Sequence, residues 1–181
     1  GKTVQIRQSS GIKISKGVPA MKIAICPGSF DPVTKGHVDI LERSSKLFDK
    51  VIAVVLVNPS KTPTFTTEER VDLIKRVTAH IPNVEVDSYA GLVADYARIK
   101  NAHTLIKGLR AVTDFEYEFQ QALINKKLNP ELETLFMVTN QEHMYLSSTL
   151  VRQIAEFGGD IDMFVPEEIK DILKAKMVKE K

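Results

Sequence analysis

Met21-Lys22-Ile23-Ala24-Ile25-Cys26-Pro27-Gly28-Ser29-Phe30-Asp31-Pro32-Val33-Thr34-Lys35-Gly36-His37 is the stretch that decides the fold. Ile23-Ala24-Ile25-Cys26 is a short apolar run that stops at Pro27-Gly28, so it reads as a buried strand running into a turn. After Gly36, the apolar positions Val38, Leu41 and Phe48 fall on one face of a helix. Strand, loop and helix in that order open a βαβ unit.

Downstream the alternation repeats. Val51 begins a seven-residue apolar run that ends at Val57, as expected of an interior parallel strand. Thr66-Thr67-Glu68-Glu69 forms a capping box ahead of a helix bearing Val71, Ile74 and Val77. Residues 84–89 alternate as a strand, and residues 92–100 read as a short helix. Thr104-Leu105-Ile106 is the fourth strand. A helix over 114–128 carries Phe115, Phe119 and Leu123 on one face, and residues 134–138 form the fifth strand. Ser147-Ser148 opens a further helix that stops near Gly158-Gly159. Pro166 begins a last amphipathic helix with Ile169, Ile172 and Leu173. Five strand–helix repeats imply right-handed crossovers and a parallel sheet covered on both faces.

The bulk numbers agree with one soluble α/β domain. The chain has 181 residues, 43% hydrophobic and 27% charged, with a net charge of +2. That charge is too small for a nucleic-acid binder, which shows a clustered basic face. One cysteine, Cys26, excludes an intramolecular disulfide and a Cys-rich zinc cluster. No apolar run approaches the roughly 20 residues of a membrane span. With no apolar h-region near the N-terminus, the expected location is cytoplasmic. Residues 1–20 differ from the rest: Lys2, Arg7, Lys13 and Lys16 are unaccompanied by any acid. They read as a leader or expression-derived segment ahead of a single domain over 21–181. A chain starting at Met21 is expected to keep its turnover, and a tenfold loss in a steady-state assay would contradict this.

In open α/β sheets, ligands bind beyond the carboxyl ends of the strands, and three clusters occupy such positions. The first follows strand one. Gly28 allows close backbone approach, and His37 stands in the first turn of a helix, where free N–H groups suit phosphate. An exposed first-turn histidine is expected to support little packing. The loop is not a P-loop, because the Gly-Lys-Ser/Thr ending is absent, and it lacks the Gly-x-Gly-x-x-Gly fingerprint. The second cluster, Ile106-Lys107-Gly108-Leu109-Arg110, sets two cations around a glycine at the end of strand four. The third, Tyr145-Leu146-Ser147-Ser148-Thr149-Leu150-Val151-Arg152, follows strand five. A cap needs only one of its three hydroxyls, and all three together suit an oxyanion cradle. Lys61, after strand two, is a lesser signal.

Thr34-Lys35-Gly36-His37 and Leu146-Ser147-Ser148-Thr149-Leu150-Val151-Arg152 together resemble the two motifs of the nucleotidylyltransferase superfamily. The stretch Gly108-Leu109-Arg110-Ala111-Val112-Thr113-Asp114-Phe115-Glu116-Tyr117-Glu118 narrows the resemblance to the bacterial phosphopantetheine adenylyltransferases, as do Pro27-Gly28-Ser29-Phe30-Asp31-Pro32 and Phe65-Thr66-Thr67-Glu68-Glu69-Arg70. The resemblance covers residues 21–181. It implies a Rossmann-like, doubly wound, five-stranded parallel sheet and transfer of AMP from ATP to 4'-phosphopantetheine. It assigns catalysis to His37, Lys61 and Arg110. ATP would be contacted by Ser29, Phe30, His37, Gly108, Leu109, Arg110, Glu118, His143, Met144, Tyr145, Leu146, Ser147, Ser148 and Thr149. Phosphopantetheine would be contacted by Ser29, Lys61, Val93 and Lys107. It further implies magnesium with no dedicated protein metal cage, a homohexamer, and feedback inhibition by coenzyme A. Lys107 stands where the family usually has arginine, whose bidentate fork a lysine does not replace. Thr149 often appears there as serine.

The attacking phosphate is already an anion, so no strong general base and no covalent intermediate are expected. Positioning and charge stabilisation should carry the rate. The competing readings are transfer to another acceptor such as nicotinamide mononucleotide, and a nucleotide-sensing module without turnover. Residues 108–118 oppose the first, and the set His37, Lys61 and Arg110 opposes the second.

Overall fold

The computed structural model describes residues 21–60 and 62–177. The reading of residues 1–20 therefore lies outside the described residues, as does Lys61. The elements alternate: β1 (Ile23–Gly28), α1 (Lys35–Ser45), β2 (Lys50–Leu56), α2 (Thr67–Thr78), β3 (Val84–Tyr89), α3 (Val93–Ile99), β4 (Thr104–Leu109), α4 (Val112–Leu128), β5 (Glu133–Val138), α5 (Ser148–Glu156) and α6 (Lys170–Met177). The five strands are all parallel in the order β3-β2-β1-β4-β5. This is the expected Rossmann-like, doubly wound sheet.

The period-two alternation of strand side chains builds two cores. On one face Ala24, Cys26, Val51, Ala53, Val55 and Ile106 pack under α1, α2, α5 and α6. On the other, Ile25, Ile52, Val54 and Leu105 pack under Ala94, Tyr96 and Ala97 of α3. Interior strands buried on both faces need such continuous apolar runs, and the edge strand β3 needs only partial burial. Each fully buried Leu, Ile or Val contributes roughly 1.5–3 kcal/mol. The sheet is thus the rigid part of the molecule. The predicted capping box of α2 is present: Thr66 N–H donates to Glu69 Oε2 at 2.7 Å, and Glu69 N–H donates to Thr66 Oγ1 at 3.2 Å.

Three expectations about helix faces need correction. Helix α1 ends at Ser45 and buries Ile40, Leu41 and Ser44, so Phe48 packs on the core from beyond the helix. The Phe115, Phe119 and Leu123 face of α4 does not enter the core; these residues are 42%, 45% and 56% exposed. After Pro166 the chain makes a 3-10 turn (Glu167–Ile169) before α6. Ile169 and Leu173 are buried, whereas Ile172 stays largely exposed.

The chain leaves β1 to build β2 and β3 on one side, then returns to place β4 on the other. The carboxyl ends of β1 and β4 therefore flank the switch point of the sheet, where a crevice for ligands opens.

Candidate active site

Residues 29–34 connect β1 to α1 and are clamped from three directions. The Asp31 carboxylate accepts from Thr64 N–H and Phe65 N–H, both at 2.9 Å. Arg70 of α2 donates from Nη1 to Ser29 O at 2.9 Å. From α5, Ser148 Oγ–H donates to Pro32 O at 2.8 Å, and Arg152 donates to Asp31 O. The Asp31–Pro32 peptide is cis, and Phe30 has a φ of 47°. Left-handed backbone at a bulky residue costs on the order of 1–3 kcal/mol and persists only where the surroundings over-determine it. Here the Phe30 ring folds back over Gly28, where a Cβ would lie 2.9 Å from it. Gly28 thus serves the loop by leaving room for that ring. Phe30 is only 3% exposed, so any part it takes in ligand contact runs through its backbone.

Thr34 caps α1, and its backbone N–H donates to His37 Nδ1 at 3.0 Å; Thr34 Oγ1 lies at the same distance. Because Nδ1 accepts, the ring carries its proton on Nε2. His37 also stacks at a tilt on Phe30, with ring centroids 5.0 Å apart. Burial, assisted by the positive charges of Arg110 and Lys107, pushes its pKa down to about 4. At neutral pH it is a neutral imidazole with one N–H to donate. The expectation of an exposed, weakly packed histidine is therefore wrong: the side chain is half-buried and closes the capping box.

Arg110 follows β4. Its guanidinium is held by Asp114 through Nε (3.0 Å) and Nη2 (3.2 Å), and Nη1 donates to Leu146 O at 2.7 Å. Two N–H bonds, one on Nη1 and one on Nη2, are left for a ligand. Lys107 lies 3.1 Å from Glu118 Oε2, and both side chains are mostly buried. Gly108 is where a Cβ would press on Ile40 of α1, at 3.1 Å. Leu109 is half-buried at the end of β4.

At the third cluster Ser147 Oγ accepts from Leu150 N–H at 3.1 Å, an ordinary cap. Ser148 is spent on Pro32 O, and Thr149 Oγ1 accepts from Arg152. Only Ser148 thus spends its O–H inside the protein; Ser147 and Thr149 accept and keep theirs to donate. The backbone N–H groups of Ser148 and Thr149 have no protein acceptor among the described residues and supply the anion-binding end of α5. Gly36 packs by the 3-10 turn Gln141–His143, with a Cβ there 3.6 Å from His143 Cβ and 3.9 Å from Leu146 Cβ.

The fold accordingly brings His37, Lys107, Gly108, Arg110, Glu118, Leu146 and Ser148 to one crevice. Met144 and Tyr145 are exposed beside it, Tyr145 edge-on to Phe164 at 6.2 Å. Val93 begins α3 and packs against the second core. Lys61 lies outside the described residues. Sequence reasoning passed over Asp31 and Arg70. The signal for Arg70 is its place on the buried stripe of α2 with Leu73, Ile74, Val77 and Thr78. Cys26 is a buried strand residue whose thiol is pushed up to about 12 by burial, so it stays protonated.

A doubly wound sheet with a donor imidazole, an arginine fork and two helix N-termini at its switch point defines a nucleotidyltransferase of the Rossmann-like class. The cytidylyltransferase-like family model matches residues 25–154. The phosphopantetheine adenylyltransferase of Caldanaerobacter subterraneus subsp. tengcongensis is 56% identical over 159 residues, 88% of this chain and 99% of that one. That of Clostridium botulinum (strain Eklund 17B / Type B) is 56% identical over 159 residues, 87% of this chain and all of its own. The chain belongs to the phosphopantetheine adenylyltransferase family. In fold it is similar to Plasmodium falciparum nicotinic acid mononucleotide adenylyltransferase, solved with NaAD (TM-score 0.62, 13% identity, 84% of this chain and 94% of that chain). A Vibrio parahaemolyticus structure described as a nicotinate-nucleotide adenylyltransferase aligns with a TM-score of 0.65 at 21% identity, over 84% of this chain and 91% of that one.

Lys107 also yields a prediction. Lys107→Arg should preserve folding and hold or tighten phosphopantetheine affinity, because a fork can grip phosphate and Glu118 together. Calorimetric binding tenfold weaker than wild type would contradict the expectation that residue 107 meets that phosphate.

Proposed function

We propose that the protein transfers the adenylyl group of ATP to 4'-phosphopantetheine, giving dephospho-coenzyme A and pyrophosphate, the penultimate step of coenzyme A biosynthesis. The observation that carries this is the neutral, Nε2-protonated His37 beside Arg110 and the α5 start, in a chain 56% identical to enzymes of that name. An anionic phosphate nucleophile needs no base, and a neutral imidazole accepting at Nδ1 is a poor candidate for one. It is well made to donate from Nε2 to charge developing on the α-phosphate. Arg110 and the α5 N–H groups would hold the β- and γ-phosphates, and Lys107 with Lys61 the acceptor phosphate. In-line attack then expels pyrophosphate with no covalent intermediate.

Magnesium belongs to this scheme as the counter-ion of the triphosphate, arriving with the substrate and keeping most of its waters. Among the described residues no group of three or more His, Cys, Asp or Glu sits where it could hold a metal ion. Coenzyme A, which shares the pantetheine arm, is the expected feedback inhibitor. A cytoplasmic location belongs to the same proposal and rests on the kinship with phosphopantetheine adenylyltransferases; none of the described helices is long and apolar enough to cross a membrane.

Homohexamer formation is part of the same proposal, supported by α4 and β5. Phe115, Phe119, Leu123 and Ile124 of α4 stand exposed beside Leu135 and Val138 of the edge strand β5. Phe115 stacks on Phe119 at 5.5 Å and meets Phe136 edge-on at 5.8 Å. A contiguous apolar face of this kind marks an association surface. Leu123→Asp should lower the mass seen by light scattering to a smaller assembly without unfolding the chain; an unchanged mass would remove this face from the interface.

The reading is tested by pyrophosphate release from ATP and magnesium with phosphopantetheine, against the same mixture with nicotinamide mononucleotide. Steady release with the first alone is expected. Release only with the second, or with neither, would overturn it.

A further inference from the structure

Arg70 is 4% exposed, the one charged residue on the buried stripe of α2, with Leu73, Ile74, Val77 and Thr78. Burying a charge is costly unless it is paired and fully hydrogen-bonded. Its Nε donates to Thr66 O at 3.3 Å, Nη1 to Ser29 O at 2.9 Å and Nη2 to Thr67 Oγ1 at 3.2 Å. Among the described residues no carboxylate oxygen lies within 4.0 Å of the guanidinium. The nearby loop carboxylate, Asp31, is engaged by Thr64, Phe65 and Arg152 instead. A hydrophobic residue would serve the stripe better, so the interaction that explains an arginine here is its hold on the Ser29 carbonyl.

That hold has a consequence one bond further on. In a trans peptide, C=O and the following N–H point in opposite directions. Drawing Ser29 O toward α2 turns the Phe30 N–H away from α2. This N–H has no protein acceptor among the described residues. The Phe30 ring folds back over Gly28, and the φ of 47° fixes the turn. What the loop then offers at the carboxyl end of β1 is an oriented, unpaired donor.

We infer that Arg70 is a positioning residue for nucleotide binding: it locks the Ser29–Phe30 peptide so that the Phe30 N–H donates to the triphosphate. The inference rests on the adenylyl-transfer reading, and acts through a backbone group that Arg70 itself holds from behind. Arg70→Lys keeps the charge but loses the fork. It should bind a non-hydrolysable ATP analogue at least tenfold more weakly by calorimetry, with phosphopantetheine affinity changed less than threefold and the melting temperature within a few degrees. A purely structural arginine would shift the melting temperature and leave the two affinities in their original ratio. Unsubstituted protein labelled with 15N-phenylalanine gives a readout independent of how the variant folds. Of its eight Phe residues, Phe30, assigned with Phe30→Leu, should show the largest amide shift when the analogue is added. An unmoved Phe30 amide at saturation, or unaltered analogue binding by Arg70→Lys, would overturn the inference while leaving the proposed function intact. A wild-type protein that neither binds the analogue nor releases pyrophosphate would overturn both.

Discussion

His37→Ala should lower turnover by about 10²–10³, roughly 3–4 kcal/mol of transition-state stabilisation, with far smaller changes in the affinities for ATP and phosphopantetheine. The ring's one free donor, Nε2–H, is set by the Thr34 N–H bond to Nδ1. Charge that builds only in the transition state is what such a donor stabilises, so the loss belongs in turnover. The variant should also melt lower, because the ring closes the α1 capping box and stacks on Phe30. His37→Gln, which can still donate, should recover part of the rate. The acid behaviour follows from the same burial. The folded pKa of about 4 lies below the ordinary 6.5. The unfolded chain therefore takes up the proton first, and this group makes the fold less stable as pH falls from about 6.5 toward 4. Removing the ring should flatten that part of the urea-stability profile. Near-normal turnover by the Ala variant would end the catalytic assignment.

Arg110→Ala should lower kcat/KM for ATP by about 10³, on the order of 4 kcal/mol, as expected when a guanidinium clamp on a triphosphate is lost. The same residue ties the start of α4, through Asp114, to the Leu146 carbonyl ahead of α5. Its removal should therefore loosen two walls of the crevice at once. Arg110→Lys restores the charge without the fork and should regain less than tenfold. Rescue of most activity by lysine would show that charge alone suffices. Steady-state kinetics in both substrates, with circular dichroism to confirm folding, decides it.

Most of the sheet was legible in the sequence, because a strand buried on both faces must be apolar throughout, and residues 51–57 and 104–106 have no other reading. The three clusters were legible for a related reason: polar and glycine-rich residues directly after buried strands have few structural uses. The clamps were not. Arg70 reaches Ser29 across 41 residues and Arg152 reaches Asp31 across 121, and no local pattern records such partners. Likewise, periodicity reveals that Phe115, Phe119 and Leu123 share a face of α4 but not what that face meets. Serine and threonine at 147–149 announced a helix start, whereas their hydroxyls turned out to serve the cap, Pro32 and Arg152. Of the three, only Ser148 spends its O–H proton; Ser147 and Thr149 keep theirs beside the free backbone donors.

The central claim is direct adenylyl transfer to phosphopantetheine, and it is tested most directly by the fate of the α-phosphorus. ATP made chiral at that atom with oxygen isotopes, turned over with magnesium and phosphopantetheine, should give dephospho-coenzyme A with inverted configuration, the mark of one in-line displacement. Retained configuration, or pyrophosphate release without an adenylylated pantetheine product, would contradict the account.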